Sequence, residues 1–547
     1  MNKVQQLISN HINIWTTTET EKKSGRGRSS NNARKIYGIE KLRQLILDLA
    51  IRGKLVLQDP KDEPAKELLL RIQDRLTSEN KLGKKKVPQE IQEQQMPFEL
   101  PKTWVCLKLR DTYQSISPLG KQLKTSQIKV KGKFPVIDQG QLYITGYTDI
   151  NEHVIKIPHP VIVFGDHTRN IKFINFDFVA GADGTKILAP ILINPKFFYY
   201  QLLSYRVKSN GYARHFKTLN ENFIAIPPLA EQKRIVYKID ELLVLCDQLE
   251  QKHINSQAIH EKLVKVLLEA LTQSKNEVEF KDSWQRIANN FNTLFTTVDS
   301  INKLKHTIFK LAITGKLIPQ DPNDEPITEL FWKVKINKKK KTLLTITKNE
   351  KLKKLPKGWE WLRLGFVGEW GSGSTPLRSN SNYYKGNIPW FKSGELNEDL
   401  IDKSEESITE LAIKKCSLRM NNPGDILLAM YGANIGKTSI LGVKGTTNQA
   451  VCACTPNEIM FNKYLLLTLK AMRDNFINQG AGGAQPNISK EKIIKTIVAV
   501  PPIKEQKRIV SKVDELMVLC DELKSYIKQA SLKQKQVADV LISQALN

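Results

Sequence analysis

Three short stretches carry residue types that could do chemistry. Gly432 to Ser439 reads GANIGKTS, with the glycines, lysine and hydroxyls of a phosphate-binding loop. That loop needs four residues between its glycines and a helix behind them. Here three residues separate Gly432 from Gly436, and position 431 is Tyr, so no shift rescues the spacing. The stretch is expected to be a glycine-rich turn between strands that leaves Lys437 available to a phosphate. Phe164 to Arg169 reads FGDHTR and groups Asp166, His167, Thr168 and Arg169 behind the apolar run VIVF. A metal-dependent nuclease gathers several carboxylates around its cations, and Asp166 stands nearly alone. A polar loop suited to hydrogen bonding is expected there. Cys452 and Cys454, in CAC, lie on one face of a strand, but no second pair at zinc-ligand spacing accompanies them.

Charge says more about the partner than these stretches do. Among 547 residues there are 84 Lys+Arg against 56 Asp+Glu, a net charge of +28. A surplus of that size points to a polyanion, either nucleic acid or an anionic membrane. No basic amphipathic anchor or lipidation signal is present, so nucleic acid leads. No apolar run approaches the roughly 18 residues that span a bilayer, and MNKVQQLISNHINIW lacks a signal-peptide core. The six cysteines are sparse and read as reduced thiols, which implies a cytoplasmic location. At about 150 residues per domain, three or four units are expected.

The elements that position such loops are stated twice. IPPLAEQKRIVYKIDELLVLCDQL from Ile226 returns as VPPIKEQKRIVSKVDELMVLCDEL from Val500, 274 positions later. LAIRGKLVLQDPKDEPAKELL from Leu49 returns from Leu311, and LPKTWVCLKL from Leu100 returns as LPKGWEWLRL from Leu355. A fainter match aligns Trp15 with Phe295. The first copy holds a basic Gly/Ser-rich insert, KKSGRGRSSNNARK, which is expected to be a flexible loop. Between Trp104 and Pro227, and between Trp359 and Pro501, no convincing alignment is found. Two similar frames of about 275 residues each therefore hold dissimilar inserts, a plan suited to two different recognition surfaces. The inserts consist of short apolar runs punctuated by Gly, Asn and Asp, so mixed α/β domains are expected.

After each Pro-Pro the pattern turns helical. Ile235, Ile239, Leu242, Cys246, Leu249, His253, Ser256, His260, Leu263 and Leu267 follow alternating steps of four and three. Ile509, Val513, Leu516, Cys520, Leu523, Ile527, Ala530, Gln534, Val537 and Leu541 repeat the register. Such stripes predict coiled-coil helices that pair antiparallel under pseudo-twofold symmetry. Proline keeps the residue before it out of the helix, and the Glu of EQKR suits the first turn of the helix dipole. Shorter helices ending at glycine are expected over LRQLILDLAIRGKL and LKHTIFKLAITGKL. Basic linkers, KLGKKKVP and KINKKKKTL, recur at one relative place and suit phosphate contacts.

In this order, the duplicated blocks resemble the specificity subunits of type I restriction-modification systems over nearly the whole chain. The resemblance implies an α/β (α+β) fold with two mixed α/β target-recognition domains on long antiparallel coiled-coil helices, related by a pseudo-twofold internal repeat. The implied divisions are an N-terminal helical region at 1–99, recognition domains at 100–226 and 355–500, and a spacer region at 227–354. A C-terminal helical region completes the plan at 501–547. The family reads a split, asymmetric double-stranded DNA site with one domain per half, without catalysis of its own. It docks two methyltransferase subunits on its helices, and restriction subunits join them. S-adenosylmethionine, ATP and magnesium are then expected in the partners, and no cofactor or metal in this chain. A DNA adenine methylase would carry Asn/Asp-Pro-Pro-aromatic, whereas the Pro-Pro pairs here follow Ile226 and Val500 and precede Leu229 and Ile503. The alternative is a stand-alone nuclease or methylase with an unrecognised active site.

The expected DNA contacts are polar and basic loop residues of the inserts. In the first they are Gln139, His167, Thr168, Arg169, Lys186, Arg214 and His215. In the second they are Ser374, Thr375, Lys392, Ser393, Tyr431, Asn434, Lys437 and Gln449. Arg to guanine and Asn or Gln to adenine are the usual bidentate pairings.

Overall fold

The first turn of each long helix holds a carboxylate that is fully buried, Glu231 in one and Glu505 in the other. Each accepts a hydrogen bond from an indole, Trp104 Nε1 to Glu231 at 3.0 Å and Trp359 Nε1 to Glu505 at 2.9 Å. Gln58 and Gln320 donate to the other carboxylate oxygen at 3.1 and 3.3 Å. One turn on, Arg234 and Arg508 make paired bonds to Asp62 and Asp324. Gln232 and Gln506 each donate back to the first proline of the Pro-Pro pair at 2.9 Å. Burial pushes both carboxyls above the ordinary glutamate value, and the indole and amide donors pull them partly back. The recurring LPKxW, QDPxDEP and EQKR blocks are thus the parts of one buried polar junction, built twice.

This computed structural model describes residues 3–17, 36–79, 88–91, 98–181, 184–205, 207, 214–337, 346, 350, 354–480 and 486–546. The basic insert and, in large part, the two lysine-rich linkers lie outside the described residues. The chain forms two compact units, one of residues 1–257 with 530–547 and one of residues 258–529. The long helices Leu229–Gln273 and Ile503–Leu546 each begin in one unit and end in the other.

In the first unit the strands are β1 (Val105–Lys108), β2 (Tyr113–Ile116), β3 (Phe134–Ile137), β4 (Gly146–Thr148) and β5 (Val154–Ile155). They continue with β6 (Val161–Gly165), β7 (Ile171–Ile174), β8 (Phe178–Ala180), β9 (Thr185–Pro190) and β10 (Phe223–Ile226). In the second unit they are β11 (Glu360–Arg363), β12 (Gly368–Ser372), β13 (Tyr384–Phe391), β14 (Leu400–Ile401) and β15 (Glu406–Ile408). The remainder are β16 (Ile426–Ala429), β17 (Thr438–Leu441), β18 (Thr446–Thr447), β19 (Val451–Pro456) and β20 (Ile497–Val500). Antiparallel ribbons, β1 with β10 and β11 with β20, join the two ends of each divergent interval.

Between those ribbons the two intervals share a topology that sequence comparison missed. The first has a sheet of order β2-β9-β6-β7, and the second β12-β19-β16-β17-β14. Beside these lie β4-β3-β8-β5 and β15-β13-β18, in which β3 runs parallel to β8 and β13 to β18. The same backbone bonds recur: Asp166 N donates to Gly184 O and Met430 N to Ala450 O, both at 2.8 Å. His215 N likewise bonds Asp166 O and Ile488 N bonds Met430 O, at 2.8 and 2.9 Å. One short likeness then emerges, FPVIDQGQL from Phe134 against IPWFKSGEL from Ile388. The two inserts, dissimilar in sequence, are thus both mixed α/β domains with a common strand order. Strands β6 and β16 are buried along their whole length, where many apolar sequences serve equally well.

The helix stripes also need correction. Ser256 and Leu263, like Ala530 and Val537, are exposed. The inward positions shift after His253 to Gln257, His260, Val264, Leu268 and Leu271. In the other helix they shift after Ile527 to Ser531, Gln534, Ala538, Leu541 and Ala545. Two successive steps of four break the heptad and restore the period of a straight helix. Ile235 to Leu249 join the first unit's core with Ala538, while Val264 to Leu271 join the second's with Ile509 to Cys520.

Trp104→Phe leaves Glu231 without its indole donor in a buried site. A loss of about 1–3 kcal/mol is expected, confined to the first unit. Trp359→Phe should do the same to the second. Calorimetry that finds either variant as stable as the parent would contradict the role given to the junction.

Candidate nucleic-acid interface

The candidate residues come from the loops after β12 and after β3 and β13, from the β6–β7 and β16–β17 turns, from before or within the start of β9 and β19, and, for Arg214 and His215, from the segment ahead of the short helix Phe216–Asn220. In the first unit Gln139 is the hub. Its side-chain oxygen accepts from His167 N at 3.2 Å, and its carbonyl accepts from Asn170 Nδ2 at 2.9 Å and from Thr168 Oγ1. Gly184 has φ +92, and a Cβ there would lie 2.7 Å from the Gln139 side-chain oxygen, so this position must be glycine. The loop carrying Gln139 is pinned by Lys172, a buried lysine on β7. Its ammonium donates to Asp138 O at 2.8 Å and Leu142 O at 2.5 Å. Desolvation lowers the Lys172 pKa and the Asp138 carboxylate opposes the shift.

Thr168 and Arg169 reach solvent from the β6–β7 turn, Arg169 with φ 63 and a 3.0 Å bond to Val207 O. Asp166 is buried beneath them, accepts from Phe216 N at 2.8 Å, and lies 3.8 Å from Lys186 Nζ. A cavity of about 350 Å³ opens here, lined among others by Ser117, Leu119, His167, Lys186 and Arg214. Six of the seven expected residues, Gln139, His167, Thr168, Arg169, Lys186 and Arg214, thus gather at one end of the sheet. His215 does not join them. It is 1% exposed and its Nδ1 lies 3.0 Å from Asp166 O, so it offers no surface to a partner.

In the second unit Tyr431, Asn434 and Lys437 occupy the β16–β17 turn, where Gly432 and Gly436 take positive φ. A strand follows this turn, not the helix that a phosphate loop requires. Among the described residues, no side chain pairs with the Lys437 ammonium. Thr375 Oγ1 donates to the Gln449 side chain, and Ser374 N bonds Thr447 O at 3.0 Å. Lys392 is already matched within the fold, 2.7, 3.1 and 3.6 Å from Glu405, Glu406 and Glu395. The bond to Glu405 leads in holding its pKa well above the ordinary lysine value. Ser393, beside it, is half-buried.

Sequence reasoning missed Ser117 and Leu119 on the cavity rim. The signal was available, since Ser-Pro-Leu at 117–119 returns as Thr-Pro-Leu at 375–377. Cys452 and Cys454 are both buried in the core, and burial pushes the Cys452 thiol up to about 12. Among the described residues, no group of three or more His, Cys, Asp or Glu could hold a metal ion. What these sheet ends offer is hydrogen-bond donors, acceptors and positive charge on short, rigid turns. Such turns suit base edges and phosphates.

The family described as "Type I restriction modification DNA specificity domain" matches residues 101–258 and again 356–534. The sequence is 33% identical to the type I restriction enzyme EcoAI specificity subunit and 32% identical to the EcoEI specificity subunit, both of Escherichia coli. Each match covers 100% of this chain and 100% of the relative. A solved structure of an HsdS subunit from Thermoanaerobacter tengcongensis is a more distant likeness, at 16% identity and a TM-score of 0.39. It covers 82% of this chain and 98% of that one.

The two lysines of the second unit should behave oppositely on substitution. Lys392→Ala strands three carboxylates and is expected to lower that unit's thermal midpoint. Lys437→Ala should leave it within the roughly 0.5 kcal/mol of a neutral surface change. Equal midpoints for both variants in calorimetry would contradict this assignment.

Proposed function

The chain belongs to the type I restriction-modification DNA specificity family, and from that premise we propose that it reads a split, asymmetric DNA site with one domain per half. Its part in the complex is DNA recognition and not catalysis. The observation that carries the two-domain reading is the shared topology. The same four-strand order is built twice, with a fifth strand added in the second, and its corresponding ends present different side chains, His167, Thr168 and Arg169 in one and Tyr431, Asn434 and Lys437 in the other. The recognition domains are assigned to 100–226 and 355–500, flanked by helical regions at 1–99, 227–354 and 501–547. Lys437, Arg169 and Arg214 suit phosphate or guanine contacts, and Asn434 and Gln449 suit adenine.

The helices carry a second surface. Val244, Leu263 and Val266 are exposed on one, and Val518, Val537 and Val540 on the other, each pair 274 positions apart. The exposed valines Val244 and Val518, one in each unit, would each seat a methyltransferase subunit, whose S-adenosylmethionine supplies the methyl group. Restriction subunits would bring ATP and magnesium. No helix among the described residues is long and apolar enough to cross a membrane, and the assembly is assigned to the cytoplasm.

Exchanging residues 100–226 for another recognition domain should change one half of the methylated site and leave the other intact. Genome-wide methylation sequencing reads this directly, and a change in both halves defeats the reading. Lys437→Ala should weaken binding across sequences and reduce the salt slope of log affinity by about one. Val244→Asp should cost one methyltransferase subunit, and with Val518→Asp added, both. Native mass spectrometry counts them, and two subunits retained by the double variant would overturn the docking assignment.

A further inference from the structure

Leu119 is 85% exposed and Leu377 is 67% exposed. One leucine in solvent needs no explanation. These two occupy the same loop in the two domains, after β2 and after β12, and each follows a hydroxyl residue and a proline: Ser117-Pro118-Leu119 and Thr375-Pro376-Leu377. Most of the surrounding loop sequence differs between the domains, yet this tripeptide is kept.

Local bonds fix both leucines in place. Lys121 N donates to Pro118 O at 2.9 Å, closing a turn that has Leu119 and Gly120 at its centre. Gly120 takes φ +78, as the third position of a type II turn requires. In the second domain Asn380 N donates to Leu377 O at 3.0 Å. The Tyr384 hydroxyl donates to Pro376 O at 2.5 Å, and Thr375 is tied to Gln449. Both side chains stand beside the polar contact residues. Leu119 lines the cavity that His167, Lys186 and Arg214 share, and Leu377 is two residues from the Thr375–Gln449 bond.

We propose that Leu119 and Leu377 are specificity-determining residues, each packing on a thymine 5-methyl group in the major groove of its own half-site. This rests on the reading of the two domains as DNA-recognition domains. The thymine methyl is the apolar group that base edges present in that groove. A leucine held on a rigid turn meets it without ordering a mobile loop. The polar neighbours supply hydrogen bonds and charge, and the leucine adds discrimination between A·T and other pairs.

The test selects duplexes from a random-sequence pool with the full-length chain, wild type, Leu119→Ala and Leu377→Ala. Each variant should lose a thymine preference at one position in its own half-site and retain the other half. On the selected duplex, deoxyuridine in place of that thymidine should weaken wild-type binding about fourfold, the value of one buried methyl group. The same change should cost the matching alanine variant nothing. The proposal is overturned if both variants select the parental sequence with parental affinity, or if the deoxyuridine penalty persists in them. It is also overturned if affinity falls while deoxyuridine is neutral to the wild type, the outcome for a leucine wedged between base steps. A wild-type chain that selects no sequence would instead defeat the DNA-recognition reading itself.

Discussion

The hydrogen bond from an indole to a buried glutamate in the first turn of each long helix is the constraint on which the rest depends. A carboxylate taken out of water must be fully bonded or it destabilises the fold. That requirement fixes Trp104, Gln58 and Glu231 in one copy and Trp359, Gln320 and Glu505 in the other. Through those residues it ties three pieces of chain together: the strand that enters the recognition domain, the turn after the shorter helix, and the start of the long helix. The neighbouring glutamine secures the exit, because it bonds the Pro-Pro carbonyl and also the backbone of Asn194 or Phe461 within the domain.

With entry and exit fixed in this way, the recognition domains are free to diverge. The loop after β3 and the loop after β13 illustrate how far. At corresponding places stand Asp138 and Lys392, of opposite charge. Asp138 is met by the buried ammonium of Lys172, and Lys392 by Glu405 and Glu406. Each loop is held by an electrostatic latch whose polarity is reversed between domains. A latch of either sign keeps the loop rigid, so the residues it carries, Gln139 and Ser393, can differ without loss of order.

This difference in constraint explains what was legible in the sequence. Blocks whose residues satisfy a particular buried hydrogen bond kept their identity, and the repeat could be read from them directly. The common sheet was illegible because β6 and β16 need only be apolar and of a certain length. Gathering the polar residues at the sheet ends could be anticipated from turn chemistry. The inward placement of His215 could not, since the Asp166 carbonyl beside it is 49 positions away in the chain. Nor could the engagement of Lys392, whose charge in sequence looks no different from that of Lys437.

The second half of each long helix departs from the heptad for a related reason. A heptad fits the first four turns of each, and nothing in the apolar spacing alone announces the shift at His253 or Ile527. Ile235 to Leu249 are seated in one core and Val264 to Leu271 in the other, so each half of the helix answers to its own core. Within the first unit, removing a single residue between Ile239 and Leu242 would turn Leu242, Cys246 and Leu249 by about 100° and out of the core that Ile235 shares with them. Only changes that restore the helical phase, near 7 or 11 residues, leave such a stripe intact. Ile509 to Cys520 are bound by the same rule in the second unit. The heptad breaks where the helix leaves one unit, at residue 257 and again at 529, because no single core dictates the apolar phase across that boundary.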